Sequence, residues 1–271
     1  MKNFLKYILF LFISILNKKH RFIILSPNLT NLKFYKTIIF DKRNKTFFTY
    51  YIRNKYDYIT VIEIYFYQSY TIKNFKFYNK AFIELIKKKL LIIDCGSNIG
   101  CSTNFFLNDY ENSKIISIEP DMNNFEMLVK NVKNNERVKL INTAISNEVI
   151  NFEVQGDPTN LEDSRGKNIV DVLDNNLPKS IKINDILSQK ENKDYFPYLI
   201  KIDIEGYENN LFESNTEWVD QFKIIIIELH DWMLPGKSSS KNFFKVIAES
   251  MKKHNRDMVI KGENLISIKY K

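Results

Sequence analysis

From residue 90 onward, short apolar runs alternate with longer stretches in which apolar residues recur every three or four positions. That is the pattern of parallel strands joined by crossover helices. The runs Leu90 to Asp94, Lys114 to Ile118, Val138 to Asn142, Tyr198 to Ile204 and Lys223 to Leu229 read as strands. The periodic stretches Ile99 to Leu107, Met122 to Asn134, Tyr207 to Glu213 and Lys241 to His254 read as helices. Between residues 148 and 180 the chain is polar, with room for one or two short strands around Phe152 and Val170. Its end, Asp257 to Lys261 and Leu265 to Tyr270 around Gly262-Glu263-Asn264, reads as a closing hairpin. The pattern predicts an α/β fold, mostly parallel, with a C-terminal antiparallel hairpin.

The first 80 residues read differently. Phe22 to Leu25, Thr37 to Phe40, Phe47 to Ile52 and Ile59 to Phe66 are strand-like runs separated by polar clusters, which predicts a small β-rich appendage over 22–80. A short amphipathic helix, Ala81 to Lys89, leads from it into the domain predicted for 81–271. The segment 1–21 has Lys2 and Lys6, an apolar run from Tyr7 to Ile13, and the basic cluster Lys18-Lys19-His20-Arg21. A membrane span needs about 20 apolar residues, so this segment is too short to cross. Three readings stand: an anchor lying on an anionic membrane surface, an ordinary docking helix, or a signal segment.

Charge divides the chain at the same boundary. Residues 1–90 carry 18 Lys plus Arg against 4 Asp plus Glu, so +14 of a total of +8, and the remainder is acidic. Of 38 aromatic residues, 22 lie before position 91. A basic, aromatic-rich surface suits an anionic partner, although an AT-rich genome accounts for part of such a composition. The two cysteines, Cys95 and Cys101, match no disulfide framework or zinc spacing, which predicts packing roles and a cytoplasmic, reducing compartment.

The chemistry is concentrated where the first parallel strand ends. Leu91-Ile92-Ile93-Asp94-Cys95-Gly96-Ser97-Asn98-Ile99-Gly100 runs from strand into helix through two glycines, in a chain with only 7; average usage would give about 19. A nicotinamide dinucleotide site would carry G-x-G-x-x-G, and the acid two residues before the first glycine would face its pyrophosphate badly. Asp94 suits a cationic ligand, and S-adenosylmethionine carries a sulfonium and an ammonium. The next strand ends at Glu119-Pro120, and Glu119 stands 25 residues beyond Asp94, near the spacing at which an acid accepts hydrogen bonds from ribose hydroxyls. Asp121 fits the capping of the following helix better than Glu119 does.

Ile92 to Gly100, Ile118-Glu119-Pro120, Leu199-Ile200-Lys201-Ile202-Asp203-Ile204-Glu205-Gly206-Tyr207-Glu208 and Ile226-Ile227-Glu228-Leu229-His230 together resemble the FkbM-type methyltransferases over Leu90 to Ile268. The resemblance implies a Rossmann-like class I methyltransferase fold, S-adenosylmethionine as cofactor, and methylation of a hydroxyl on a sugar, glycan or related metabolite. It implies cofactor contacts from Asp94, Gly96, Ser97, Asn98, Gly100, Glu119 and Pro120; related folds place an adenine-contacting loop at Ala144. Tyr207 departs from the pattern, where a small residue is common, and is expected to shape the acceptor side.

An alcohol is a weak acid, so its methylation gains from a positioned base and close alignment. Alternation puts Lys201, Asp203 and Glu205 on one face at a strand end. Asp203 and Glu205 are expected to orient cofactor or acceptor, with His230 taking the proton and no metal assigned. Asp157, Asp163 and Arg165 are candidates for the acceptor side, with a solvated loop as the plainer reading. A nucleic-acid methyltransferase is the nearest rival, given the basic first third. The chain has no Pro-Pro, which amino-methylating enzymes of that kind carry in their acid-Pro-Pro-aromatic block, and the K-D-K-E set of ribose-methylating enzymes is not evident, so nucleic acid is not the expected partner. The remaining rivals are a binding protein of the same fold without catalysis and a nicotinamide-dependent enzyme.

Overall fold

The computed structural model describes residues 2–17, 20–25, 35–72, 82, 84–156, 163 and 165–270. Helix α1 (Lys2–Leu16) precedes a three-stranded antiparallel sheet of β1 (Phe22–Leu25), β2 (Tyr35–Asp41) and β3 (Thr46–Ile52) in the order β1-β2-β3. Helix α2 (Lys55–Val61) follows and runs straight into a π-helical turn, Ile62–Phe66. The strand expected over Ile59 to Phe66 is therefore helical. Its β-branched residues suggested a strand, but Asn54 caps the helix, accepting from the backbone N–H of Tyr56 at 2.9 Å and Asp57 at 3.1 Å. Tyr58, Val61, Ile64 and Tyr65 fall on one helical face and are buried, so period 3.6 prevails over local propensity.

The main sheet consists of β4 (Leu90–Cys95), β5 (Ser113–Ile118), β6 (Val138–Ile141), β9 (Phe196–Ile202), β10 (Ile224–Glu228), β11 (Arg256–Lys261) and β12 (Asn264–Lys269). Its order is β11-β12-β10-β9-β4-β5-β6, parallel from β10 to β6 and antiparallel at β12 and β11. Helices α3 (Cys101–Asp109), α4 (Met122–Val132), α5 (Ile183–Ser188), α6 (Glu208–Leu211) and α7 (Lys241–Lys253) complete the unit. The polar segment supplies β7 (Phe152–Gln155) and β8 (Asn168–Asp171), paired antiparallel as a separate hairpin. Of the helix expected over Ala81 to Lys89, Phe82 is helical and Leu85–Lys87 forms a 3-10 turn, while Ala81 and Ile83 lie outside the described residues.

Strand order reverses at β4, whose neighbours are β5 on one side and β9 on the other. In open α/β sheets a ligand crevice forms beyond the carboxyl ends of the strands at such a switch point. The β4 strand is wholly buried because apolar layers cover both its faces, with Leu90 and Ile92 in one core cluster and Leu91 and Ile93 in the other. The first of these clusters also contains Phe22, Ile39, Tyr50, Val61 and Tyr65. The appendage thus shares a core with the larger unit, and Asn131 reinforces the junction, accepting from Tyr51 N at 2.7 Å and donating to Ile99 O at 2.9 Å.

Candidate active site

The loop after β4 is held from below. Asp94 is fully buried, and its Oδ2 accepts from the hydroxyls of Ser102 and Thr103, each at 2.7 Å. Register places Asp94 opposite Lys201 of β9, whose Nζ lies 3.7 Å from Asp94 Oδ1, 3.1 Å from Asp203 Oδ2 and 2.6 Å from the carbonyl of Gly96. Burial works against the Lys201 charge, but Asp203 and Asp94 outweigh it and hold its pKa well above the ordinary value. Asp94 and Lys201 therefore brace the loop. The sequence reading places Asp94 against the cofactor; the structure places its carboxylate beneath the loop, outside the crevice wall.

Gly96 has φ +77°, and a Cβ there would fall 1.8 Å from the backbone oxygen of Asp203. Only glycine lets the exits of β4 and β9 pass so closely. Gly100 has φ +89° and faces Leu128 of α4; it does not line the crevice, so its requirement comes from packing. Asn98 and Glu205 also adopt left-handed backbone, at φ 47° and 55°, a conformation that concentrates at functional sites in residues other than glycine.

A crevice runs along the carboxyl ends of β4 and β5, lined by Gly96, Asn98, Glu119, Pro120, Ala144 and Asp203 among others, with Ile118, Ile145, Ile169 and Ile204 as apolar walls. Glu119 is 5 % exposed; its Oε2 accepts from Asn98 N at 2.8 Å and its Oε1 from Asp121 N at 3.0 Å. Burial nevertheless dominates and pushes its pKa to about 7. As the sequence indicates, Asp121 caps α4 by accepting from Asn124 N at 2.9 Å.

A larger cavity of about 560 Å³ adjoins this crevice and shares Gly96, Asn98, Asp203 and Glu205 with it. Ser97, Lys201, Glu228, His230, Trp232 and Glu263 line it from the main unit. Asp163 and Arg165 line it too, so they are wall residues; Asp157 lies outside the described residues. Helix α2 and the π turn supply Thr60, Glu63 and Tyr67, with Arg165 Nη1 lying 3.7 Å from Glu63 Oε1.

His230 sits at the centre of the acids. Its side chain is 1 % exposed, Nδ1 lies 2.8 Å from Glu208 Oε1, and Nε2 faces Glu205 at 3.4 Å and Asp203 and Glu228 at 3.7 Å each. Burial opposes its charge, but the bond to Glu208 and the field of Asp203 prevail and raise its pKa to about 10. Burial and then Asp203 push Glu205 to about 7 and Glu228 to about 8. The sequence reading makes His230 the proton acceptor; among these acids the ring holds a proton more tightly than a free imidazole, which counts against that role.

Glu228, Glu63, Glu263, Tyr67 and Trp232 are among the wall residues the sequence reading did not select. Glu228 ends an apolar strand, as Asp94 and Glu119 do, and that position was a usable signal. Glu63 lies in the run mistaken for a strand. Tyr207, expected on the acceptor side, instead packs with Ala144, Phe152 and Ile169 under the β7–β8 hairpin.

The switch-point crevice, its apolar walls and the ribose-distance acid define a nucleoside-cofactor enzyme of the α/β class. The chain belongs to the FkbM methyltransferase family: the methyltransferase FkbM domain model matches residues 94–258. It is therefore an S-adenosylmethionine-dependent methyltransferase. Among solved structures, it is similar to the O-methyltransferase from Bacillus cereus in complex with SAH, at 14 % identity over 74 % of this chain and 82 % of that one, with a TM-score of 0.41. The Methanococcus jannaschii fibrillarin pre-rRNA processing protein gives 13 % identity over 68 % of each chain and a TM-score of 0.36. Such distant likenesses add nothing to the fold read from strand order. No curated protein matches the sequence.

The site fits the cofactor. Glu119 offers a fixed buried carboxylate that could accept from ribose hydroxyls, four aliphatic side chains could flank a flat base, and Asn98 Oδ1 is buried without a hydrogen-bond partner among the described residues.

Proposed function

We propose that the protein is an O-methyltransferase acting on a hydroxyl of a polyhydroxylated acceptor, a sugar of a cell-surface glycan or a related metabolite. The observation that carries this reading is the wall of the larger cavity. Glu63, Asp163, Asp203, Glu205, Glu228 and Glu263 surround it, and two exposed aromatics, Tyr67 and Trp232, stand in its lining. Carboxylates accept hydrogen bonds from hydroxyls, and exposed aromatic faces offer apolar surface to sugar rings. A wall so rich in carboxylates opposes a phosphodiester backbone, which weighs against a nucleic-acid acceptor despite the basic first third.

S-adenosylmethionine, when bound, supplies an electrophilic methyl group on sulfur. Gly96, Asn98, Glu119, Pro120 and Ala144 hold it along the crevice, and Ser97 reaches the adjoining cavity. Asp203 is tied to Lys201 and orients; Glu205, on both crevice and cavity walls and without a lysine or arginine partner within salt-bridge distance among the described residues, takes the hydroxyl proton. His230, facing Asp203, Glu205 and Glu228, steadies these acids. The catalytic unit spans 81–271 in this reading, and residues 22–80 contribute an acceptor wall through α2 and the π turn.

The same reading places α1 on a membrane surface. Ile8, Leu9, Phe12, Ile15 and Leu16 are exposed along it, while Lys42 Nζ donates to its carbonyls at Ser14 and Asn17. No helix among the described residues is long and apolar enough to cross a membrane, so contact would be peripheral.

Glu205→Gln tests the mechanism, with transfer of labelled methyl to glycan extracts as the readout. Turnover is expected to fall by about 10²-fold or more while cofactor affinity, read by calorimetry, is kept. Unchanged turnover would remove Glu205 from the role of base.

A further inference from the structure

We propose that Asp203, Glu228 and His230 form a divalent-cation site on the cavity floor, for an ion such as Mg²⁺ or Mn²⁺, beside the acceptor hydroxyl. One ligand atom from each lies within 4.8 Å of the other two, a separation that one ion can bridge. The set is not merely acidic. His230 is held with Nδ1 on the fully buried Glu208, at 2.8 Å, so that Nε2 faces Glu205 Oε2 at 3.4 Å and Asp203 Oδ1 and Glu228 Oε1 at 3.7 Å each. A carboxylate fixing one imidazole nitrogen while the other points at further ligands is the arrangement that orients histidine towards a metal.

Local charge points the same way. Asp94, Asp203, Glu205, Glu208 and Glu228 gather around Lys201 and His230. Lys201 contacts Oδ2 of Asp203 and leaves Oδ1 to the histidine side. Carboxylate oxygens with one imidazole suit a hard to intermediate divalent ion better than a thiophilic one. Seated there, the ion takes the place of the Nε2 proton, and its charge favours the ionised form of a hydroxyl drawn close to it. The role in methyl transfer rests on the function proposed above; the binding itself rests on geometry alone.

The test uses the full chain freed of metal by chelation and titrated with Mn²⁺, the free ion being followed by electron paramagnetic resonance. Saturable uptake of one Mn²⁺ per chain is expected, weakened at least about tenfold in Glu228→Gln and, through the orienting carboxylate, in Glu208→Gln. Calorimetry with S-adenosylmethionine on the same samples checks that each variant is folded and reads the cofactor site separately. No saturable uptake, or uptake equal in wild type and both folded variants, overturns the cation site and leaves His230 as an imidazolium bracing its acids. Absence of cofactor binding in the metal-free wild type, with Mn²⁺ uptake intact, would instead count against the function proposed above.

Discussion

Glu119 is almost wholly buried, fixed by two backbone N–H groups, and still titrates near 7 because burial outweighs those bonds. On the proposed reading its charged form is the one that would accept from two ribose hydroxyls at once. The sign follows directly: above pH 7 the carboxylate is present and affinity is full, and below it the proton competes. Cofactor affinity measured by calorimetry is expected to fall by up to tenfold per pH unit below about 7, and Glu119→Gln is expected to bind more weakly with that dependence gone. A flat profile in the wild type would remove Glu119 from ribose contact. Asp94 teaches the complementary lesson. Sequence position set it beside the glycine loop, but its carboxylate is held by the hydroxyls of Ser102 and Thr103 and lies near Lys201, more than a hundred residues away, which only register across β4 and β9 reveals.

Elements were legible where local pattern and burial agree. Strands β4, β5, β9 and β10 are apolar runs bounded by charge, and all lie within two residues of their expected limits. The β7–β8 hairpin was visible as two islands around Phe152 and Val170. Helix α2 was not, because Ile59, Val61, Ile62 and Ile64 carry strand propensity and their helical face is rewarded only by packing against β1 and α3. That misreading also hid Glu63 and Tyr67 from the site. The appendage is tied down by charge as well: Arg21 joins Asp41 at 2.6 Å and also pairs with Asp109 of α3, which Arg43 meets too. Arg21→Ala would leave Asp41 and Asp109 buried with one cation fewer, and is expected to destabilise the chain by about 3–5 kcal/mol. Chemical denaturation measures this, and a loss below about 1 kcal/mol would show that the appendage is held by its apolar core alone.

At the scale of the whole molecule, the charge asymmetry is real but partly internal. Arg21, Arg43 and Arg53 are engaged with Asp41, Asp109 and Asp57, and Lys42 with the end of α1. The basic surface offered to an anionic partner is smaller than the count over residues 1–90 implies, and its apolar complement is the exposed face of α1. Deleting residues 1–17 keeps Arg21 and is expected to abolish sedimentation with anionic vesicles while cofactor binding persists; equal sedimentation of both forms would refute surface anchoring. The parallel sheet places the crevice, and α2 with the π turn lines the adjoining cavity from the other side, so on the proposed reading acceptor choice belongs to the two halves together. The most direct measurement is mass spectrometry of surface glycans from cells producing either the wild-type chain or Glu205→Gln. The account predicts an added CH₂ mass on a sugar hydroxyl in the first and its loss in the second. The same glycan masses in both, with methyl groups appearing on nucleic acid instead, would contradict it.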